Sequence, residues 1–190
     1  YMHAEADFGT AGSVRNAYEK IGSDRVLIIS GDVLTDFDLG EAIRYHEEKG
    51  ADATIVLTRV PNPLQFGVVI VDENGNITRF LEKPSWGEVF SDTINTGIYI
   101  LENHVLEMIP YKEDYDFSKN LFPLMMQEGK KLCGYIAEGY WRDVGNLGEY
   151  HEDSLDCLSG SVAVNFDGEQ RGIIHGGEGS IVPENTEHWS

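Results

Sequence analysis

The 190-residue sequence has no apolar run long enough to cross a membrane as a helix. A spanning helix needs about 20 consecutive apolar residues. The longest apolar stretches, such as residues 26–29 and 68–71, have the length of a strand instead. The sequence also opens without the basic segment and apolar core of a signal peptide. We therefore expect a soluble protein that does not enter the membrane.

Basic residues are scarce: 14 Lys and Arg stand against 33 Asp and Glu, which gives a net charge of −19. So acidic a chain is unsuited to wholesale binding of a nucleic acid backbone or an anionic membrane surface. We expect small-molecule partners, with no nucleic acid and no membrane. An anionic ligand would have to be held locally, by a metal ion or by a few well-placed cations.

Cysteine is nearly absent as well. Cys133 and Cys157 are too few for a disulfide framework. Neither has near neighbours at the spacing of a zinc site. We therefore expect a cytoplasmic protein, in a reducing compartment.

Along most of the sequence, segments whose hydrophobic residues have helical spacing alternate with segments that have the pattern of strands. Asn74-Gly75 favours a tight hairpin turn between two of the strands. The order predicts an α/β fold, with a Rossmann-like, mostly parallel sheet flanked by helices and one antiparallel excursion. Residues 25–30 read as a strand buried on both faces. Helices are predicted at 11–21, 39–49, 117–127 and 147–158, and strands at 25–30, 53–60, 66–71, 77–82, 95–101 and 132–138.

Two carboxylates follow strands that are predicted to lie in the sheet. Asp32 comes directly after Gly31 and the strand at 25–30, and Asp143 follows the strand at 132–138. Ligands of such sheets bind beyond the carboxyl ends of the strands. Two carboxylates from different strand ends can fix one Mg²⁺ against phosphate oxygens. A turn aspartate that caps the next helix is an equal alternative for Asp32.

Asp36 and Asp38 form a second candidate metal site. An Asp-x-Asp shortly after a strand is also the metal signature of nucleotide-sugar glycosyltransferases. However, Asp38 directly precedes Leu39 and Glu41, where the N-cap of the predicted helix should lie. We favour the cap.

Two further segments carry polar groups at strand positions. Pro84 ends the return strand of the hairpin, so Lys83 would place a cation at the end of a rigid element. The alternative is that Lys83 is an ordinary solvent-exposed lysine. Gly97 interrupts a strand beside Asn95 and Thr96. A glycine there indicates close approach by a ligand or a packing requirement.

Taken in order, six segments resemble the sugar nucleotidyltransferases, which make nucleoside-diphosphate sugars. The local sequence around Asp116, Glu138 and Asp143 is most similar to that of mannose-1-phosphate guanylyltransferases. The resemblance extends to about Leu158. The segments are Phe8-Gly9-Thr10-Ala11-Gly12, Gly31-Asp32, Phe66-Gly67-Val68-Val69, Phe80-Leu81-Glu82-Lys83-Pro84, Asn95-Thr96-Gly97-Ile98-Tyr99 and Trp141-Arg142-Asp143-Val144-Gly145.

The resemblance implies a role for each matching residue. Asp32 and Asp143 would hold Mg²⁺ and, with Lys83, form the catalytic set. Lys83 would bind the sugar phosphate and Glu82 the sugar hydroxyls. The other implied substrate-binding residues are Gly67, Asn95 and Thr96 along the sugar, Gly9, Thr10 and Ala11 beside the nucleotide, and Trp141.

The implied activity is nucleotidyl transfer from a nucleoside triphosphate to a sugar 1-phosphate, with GTP and mannose 1-phosphate as the favoured pair. Alternatives are a glucose-1-phosphate uridylyl-, thymidylyl- or adenylyltransferase, the Asp-x-Asp glycosyltransferase, and a non-catalytic regulatory subunit of the same fold. A homo-oligomer is expected.

The resemblance also implies a domain division. Residues 1–158 would be the catalytic domain without the family's opening strand and glycine-rich phosphate loop. Residues 159–190 would begin a left-handed β-helix of hexapeptide repeats, because small and branched residues recur about every six positions there. We expect these 190 residues alone to be inactive and prone to aggregate.

Overall fold

A computed structural model describes residues 6–18, 22–82, 91–164, 169–171 and 174–176. The chain divides into two compact units. The first comprises Tyr1–Gly31 and Asp38–Glu138, and the second comprises Asp32–Phe37 and Gly139–Ser190. In chain order the elements are α1 (Gly9–Tyr18), β1 (Arg25–Ile29), β2 (Val33–Thr35), α2 (Leu39–Lys49), β3 (Ala53–Arg59), β4 (Gly67–Val71), β5 (Ile77–Glu82), β6 (Thr93–Glu102), α3 (Asn103–Leu106), α4 (Phe122–Gln127), β7 (Leu132–Ile136), β8 (Trp141–Asp143), α5 (Leu147–Ser159), β9 (Glu169–Arg171) and β10 (Ile174–Gly176).

The first unit is built on one sheet in the order β5-β4-β6-β3-β7, with β1 also paired to β6. Helices α2 and α4 pack against β7, and α3 packs against β6. The α/β class and the helix-flanked sheet are therefore confirmed. The prediction of a mostly parallel sheet is wrong for the described strands, because only the pairing of β3 with β7 is parallel. Hydrophobic periodicity reports burial and carries no information on strand direction.

The strand buried on both faces is β3. Six of its residues in succession are buried, among them Ile55 and Leu57. The corresponding prediction for residues 25–30 is wrong: β1 leaves Leu27 40% and Ile29 45% exposed. Leu27 and Ile29 alternate along β1 and so lie on the same face of the sheet, where other elements leave them partly uncovered.

Local capping signals determine the limits of α2. The Asp38 carboxylate accepts a hydrogen bond from the Glu41 amide at 3.1 Å, and Gly50 follows the helix in the left-handed conformation, with φ of 55°. These are the preferred N-cap and C-cap groups. The predicted helix at 39–49 and its cap are confirmed. The helix predicted at 117–127 begins instead with a π-helical turn over Phe117–Leu121, which leads into α4.

The hairpin of β4 and β5 is confirmed, and its turn also contacts β7. Gly75 has a φ of 81°, as such turns require. Hydrogen bonds from the Asn76 side chain and from two turn amides hold the pKa of the Asp72 carboxyl below its usual value. The Gly134 amide donates to the Gly75 carbonyl at 2.9 Å, and the Tyr45 hydroxyl donates to the Gly134 carbonyl at 3.1 Å.

The second unit contains an antiparallel ribbon of β2 and β8, the helix α5, and a pair formed by β9 and β10. Asn146 caps α5 by accepting from the amides of Gly148 and Glu149 at 2.9 and 3.0 Å. The predicted β-helix falls largely outside the described residues and stays a prediction, as does the domain boundary at 158. No helix in the described ranges has the length and apolar character that a bilayer crossing requires.

Candidate functional site

The ribbon brings together the backbone positions of the two aspartates that the sequence predicts as metal ligands. Asp143 pairs with Val33 at the end of β8. The Val144 amide donates to the Asp32 carbonyl at 2.8 Å, so the turn that holds Asp32, just before β2, is attached to the residue that follows β8. Both aspartates are exposed. Residues more than a hundred positions apart in sequence are thus neighbours at one end of a two-stranded element.

Two neighbouring aspartates are the kind of ligands that a magnesium site completed by substrate would use. Within the described part of the chain, no group of three or more His, Cys, Asp or Glu side chains is placed to hold a metal. Mg²⁺ does not need such a cage, because it keeps several waters and is usually bound by one or two carboxylates together with substrate phosphates. Asp32 and Asp143 therefore fit this ion better than they fit Zn²⁺.

The competing carboxylates, Asp36 and Asp38, are both engaged by backbone amides. Asp36 accepts from the Tyr140 amide at 2.6 Å and from the Ala163 amide at 3.1 Å. Asp38 caps α2. Each carboxylate thus has a structural function within its own unit. The sequence indicated the cap at Asp38, but the partners of Asp36 are over 100 positions away and left no local signal.

Replacing Asp36 with asparagine is expected to destabilise the second unit. Asparagine keeps one acceptor and turns an N–H₂ group toward a backbone donor, so one amide loses its partner. Such a loss costs about 1–3 kcal/mol. Asp38→Ala is the matched control, with an expected cost of about 1 kcal/mol for a lost N-cap. Urea unfolding measures both. A normal midpoint for Asp36→Asn, together with weakened metal binding, would contradict the structural assignment.

Three of the predicted sugar-site positions form a row across neighbouring strands of the first unit. Gly67 on β4 pairs with Glu82 on β5. Val68 pairs with Ile94, so in this antiparallel ladder Gly67 lies beside Asn95. Gly67 contributes no side chain to the middle of the row. Lys83, the next residue after β5, lies outside the described residues.

A bulge in β6 explains the glycine that interrupts this strand. The register of β6 against β3 passes from Ile98 directly to Asn95, so Thr96 and Gly97 form the bulge. Gly97 has a φ of 77°, and its amide donates to Asn95 Oδ1 at 3.1 Å. Asn95 Nδ2 in turn donates to the Tyr99 hydroxyl at 3.0 Å. The bulge therefore holds the half-buried Asn95 side chain in one orientation.

Thr96 has a different environment from Asn95. Its side chain is buried, and its hydroxyl donates to the Val56 carbonyl at 2.7 Å. This contact attaches the bulge to β3. The structure thus brings Asn95, Gly67 and the backbone position of Glu82 together and directs the Thr96 hydroxyl into the sheet.

The segment around Gly9, Thr10 and Ala11 packs against residues 113–117. The amides of Ala11 and Gly12 donate to the Tyr115 carbonyl at 2.9 and 3.0 Å. The Thr10 hydroxyl donates to Asp116 Oδ2 at 3.0 Å and accepts from the Phe117 amide at 3.1 Å. These contacts dock the start of α1, and the predicted nucleotide role of the three residues stays a prediction.

A cluster of charged residues links β8 to α5, and the sequence analysis missed it. Arg142 lies 2.8 Å from Glu152, 3.3 Å from Asp153 and 3.8 Å from Asp156. Hydrogen bonding to Glu152 raises the pKa of the Arg142 guanidinium. The Tyr140 hydroxyl lies 3.0 Å from Asp153 Oδ1 and 2.7 Å from Asp156 Oδ2. Burial, followed by these contacts, raises the pKa of Tyr140 well above its usual value.

The comparisons with known proteins agree on one family. The family model described as nucleotidyl transferase matches residues 1–160. The chain is 34% identical over 161 residues to a mannose-1-phosphate guanylyltransferase of Mycobacterium tuberculosis, covering 84% of this chain and 44% of the relative. It is 37% identical over 158 residues to a UTP–glucose-1-phosphate uridylyltransferase of Synechocystis, covering 81% of this chain and 41% of the relative. The chain thus spans less than half the length of these relatives.

A solved structure has a similar fold. It is titled a putative glucose-1-phosphate thymidylyltransferase from Bacillus anthracis in complex with a sucrose. The TM-score is 0.69 at 22% identity, and the match covers 87% of this chain and 65% of the other.

Proposed function

This chain belongs to the nucleotidyl transferase family, and from that membership we propose that it is part of an enzyme that joins a nucleoside triphosphate to a sugar 1-phosphate. The products are a nucleoside-diphosphate sugar and pyrophosphate. The observation that carries the proposal is the ribbon of β2 and β8, which places Asp32 beside Asp143. The two segments that contain these residues resemble segments of the family and occur in the same order.

The reaction is an in-line displacement at the α-phosphorus. A phosphate oxygen of the sugar 1-phosphate forms the new P–O bond, the bond between the α-phosphorus and its bridging oxygen breaks, and pyrophosphate leaves with that electron pair. No protein nucleophile is needed. Positioning and charge neutralisation provide most of the catalysis in such transfers.

Asp32 and Asp143 would hold a divalent cation that, when bound, neutralises charge on the phosphates. The protein itself supplies little positive charge for this purpose, since its net charge is −19. Lys83 would add a cation at the sugar phosphate, immediately after β5. By holding that cation, Asp32 and Asp143 would help to orient the phosphates for the in-line displacement.

The row of Glu82, Gly67 and Asn95 would receive the sugar. The amide of Asn95 and the carboxylate of Glu82 are groups that hydrogen-bond hydroxyls. The lack of a side chain at Gly67 would let a sugar ring approach the backbone of β4. We assign the sugar half of the site to this row.

For the substrate pair we propose GTP and mannose 1-phosphate. This proposal is supported by the local sequence around Asp116, Glu138 and Asp143, which is similar to that of mannose-1-phosphate guanylyltransferases. A relative with that name is 39% identical over 147 residues, the catalytic subunit beta from Xenopus tropicalis. Relatives named for glucose 1-phosphate have comparable identity, at 34–37%, so the assay must compare substrates.

A glycosyltransferase using Asp36 and Asp38 is the less favoured function. Both carboxylates already accept hydrogen bonds from backbone amides. That function would also give no role to the neighbouring positions of Asp32 and Asp143. A regulatory subunit of the same fold would retain the ribbon but would not turn over substrate.

Pyrophosphate release by the full-length protein tests the proposal. Each common nucleoside triphosphate is offered with mannose 1-phosphate and with glucose 1-phosphate, in Mg²⁺ and in excess chelator. We expect release with Mg²⁺ only, and the highest kcat/KM with GTP and mannose 1-phosphate. The reverse reaction, from a nucleoside-diphosphate sugar and pyrophosphate to the triphosphate, separates this activity from a glycosyltransferase. Absence of release with every pair would overturn the proposal.

A further inference from the structure

Strand β8 carries its charged residues on two opposite faces. In the ribbon, Asp143 pairs with Val33, Arg142 with Leu34, and Trp141 with Thr35. Successive residues of a strand point to opposite faces. Arg142 therefore lies on the face opposite to Asp143, and its side chain contacts the acidic residues of α5.

The key partner of Arg142 on α5 is a buried carboxylate. The side chain of Asp153 is 4% exposed, whereas those of Glu152 and Asp156 are 66% and 32% exposed. Its Oδ1 atom lies 3.3 Å from Arg142 Nη1 and 3.0 Å from the Tyr140 hydroxyl. Its Oδ2 atom is buried and has no hydrogen-bond partner among the residues that the structure describes. A buried carboxylate is tolerated only when a charge compensates it, and Arg142 supplies that charge.

This arrangement attaches β8 to α5 immediately beside the predicted metal ligand. Tyr140 and Arg142 both hold the strand from the α5 side. Asp143 follows Arg142 and extends from the other face. A three-residue strand with one partner strand has few contacts of its own to fix its orientation.

We propose that Arg142 is a positioning residue for the metal site, acting through its ion pair with Asp153 to keep Asp143 beside Asp32. The inference rests on the proposed function, since it assumes that Asp32 and Asp143 bind a divalent cation. Groups that orient metal ligands without touching the metal commonly affect metal affinity about 10–100-fold. Arg142 is therefore expected to control metal affinity and not to contact the sugar.

Titration of the full-length protein with Mn²⁺ alone tests this directly. Free Mn²⁺ is followed by electron paramagnetic resonance without nucleotide or sugar, so the readout does not depend on turnover. We expect Arg142→Met to weaken Mn²⁺ binding about 10-fold. Arg142→Lys retains a charge opposite Asp153 and should lose less. In assays, the Mg²⁺ concentration at half-maximal rate should rise while the KM for the sugar phosphate stays unchanged.

Arg25→Met is the matched control. Arg25 is also a strand arginine that pairs with two carboxylates, Glu47 and Glu102, each at 2.6 Å. It lies in the first unit, so its loss should lower thermal stability without changing Mn²⁺ affinity. Equal Mn²⁺ affinities for Arg142→Met, Arg25→Met and the unmodified protein would overturn the proposal.

Asp143→Asn separates failure of this inference from failure of the proposed function. If Asp143→Asn leaves Mn²⁺ binding unchanged, the metal pair itself is wrong. If Asp143→Asn weakens binding and Arg142→Met does not, only the positioning role is wrong. Should Arg142→Met fail to fold, Asp153→Asn weakens the same ion pair and keeps an acceptor for Tyr140. It should then weaken Mn²⁺ binding, and unchanged binding in that variant would likewise overturn the proposal.

Discussion

Replacing Asp143 or Asp32 with asparagine is expected to lower turnover of the full-length protein at least ~100-fold, as loss of comparable electrostatic stabilisation does elsewhere. Asparagine keeps the shape of the side chain but removes a charge that a divalent cation requires. Both aspartates are exposed, so little folding energy depends on their charge. Steady-state kcat in saturating Mg²⁺, alongside urea unfolding, measures the two quantities separately.

Asp38→Asn is the control for this prediction. Asn caps helices about as well as Asp, and Asp38 is exposed at the start of α2. Its turnover should stay close to that of the unmodified protein. A larger loss in Asp38→Asn than in Asp143→Asn would favour the glycosyltransferase function, because it would make the second carboxylate pair the metal site.

Gly12→Ala is expected to destabilise the first unit by about 1–2 kcal/mol, the overpacking cost less the gain in helix propensity. A Cβ atom at this position would lie 2.4 Å from the Glu113 carbonyl oxygen, a backbone atom. Overpacking of this kind costs about 1–3 kcal/mol and occasionally more. Alanine gains about 1 kcal/mol of helix propensity over glycine, and the clash with a backbone atom outweighs this gain. The start of α1 should then separate from residues 113–117.

Urea unfolding compares Gly12→Ala with Gly31→Ala. A Cβ atom at Gly31 meets no described atom within 4 Å, so this variant changes the chain entropy without a clash. The unfolding midpoint should fall for Gly12→Ala and stay near the original for Gly31→Ala. Equal midpoints would show that the contact between α1 and Tyr115 gives way without cost.

The sequence predicted best the elements with strong local signals. Helix α2 has the predicted limits because Asp38 and Gly50 satisfy its free backbone groups at both ends. The hairpin is also predicted, because Gly75 takes the positive φ that the turn needs. Such signals depend on a few neighbouring residues and hold wherever the segment lies in the fold.

Features that depend on distant pairing could not be predicted. The ribbon of β2 and β8 has three residues in each strand, too few to show a periodic pattern. The structural role of Asp36 arises from amides at Tyr140 and Ala163. Whether two paired strands are parallel or antiparallel depends on the path of the chain between them. No local sequence pattern encodes that path.

The candidate site also has parts that the sequence predicted and parts that it did not. The order of the matching segments predicted that Asp32 and Asp143 act together, and the ribbon is consistent with that. The row of Glu82, Gly67 and Asn95 depends on strand register and on the bulge at Thr96 and Gly97. Arg142 was not predicted, because its role depends on α5 packing against one face of β8.

The turn between β4 and β5 has a consequence for self-association. An exposed edge strand offers free backbone groups on which a strand of another molecule can assemble. At β7 this opportunity is reduced, because Gly75 accepts from the Gly134 amide and Asn76 forms a bridge with Cys133. Strand β1, with Leu27 and Ile29 exposed, has no comparable cover among the described residues. Of these two described strands, β7 is therefore the less available for strand addition.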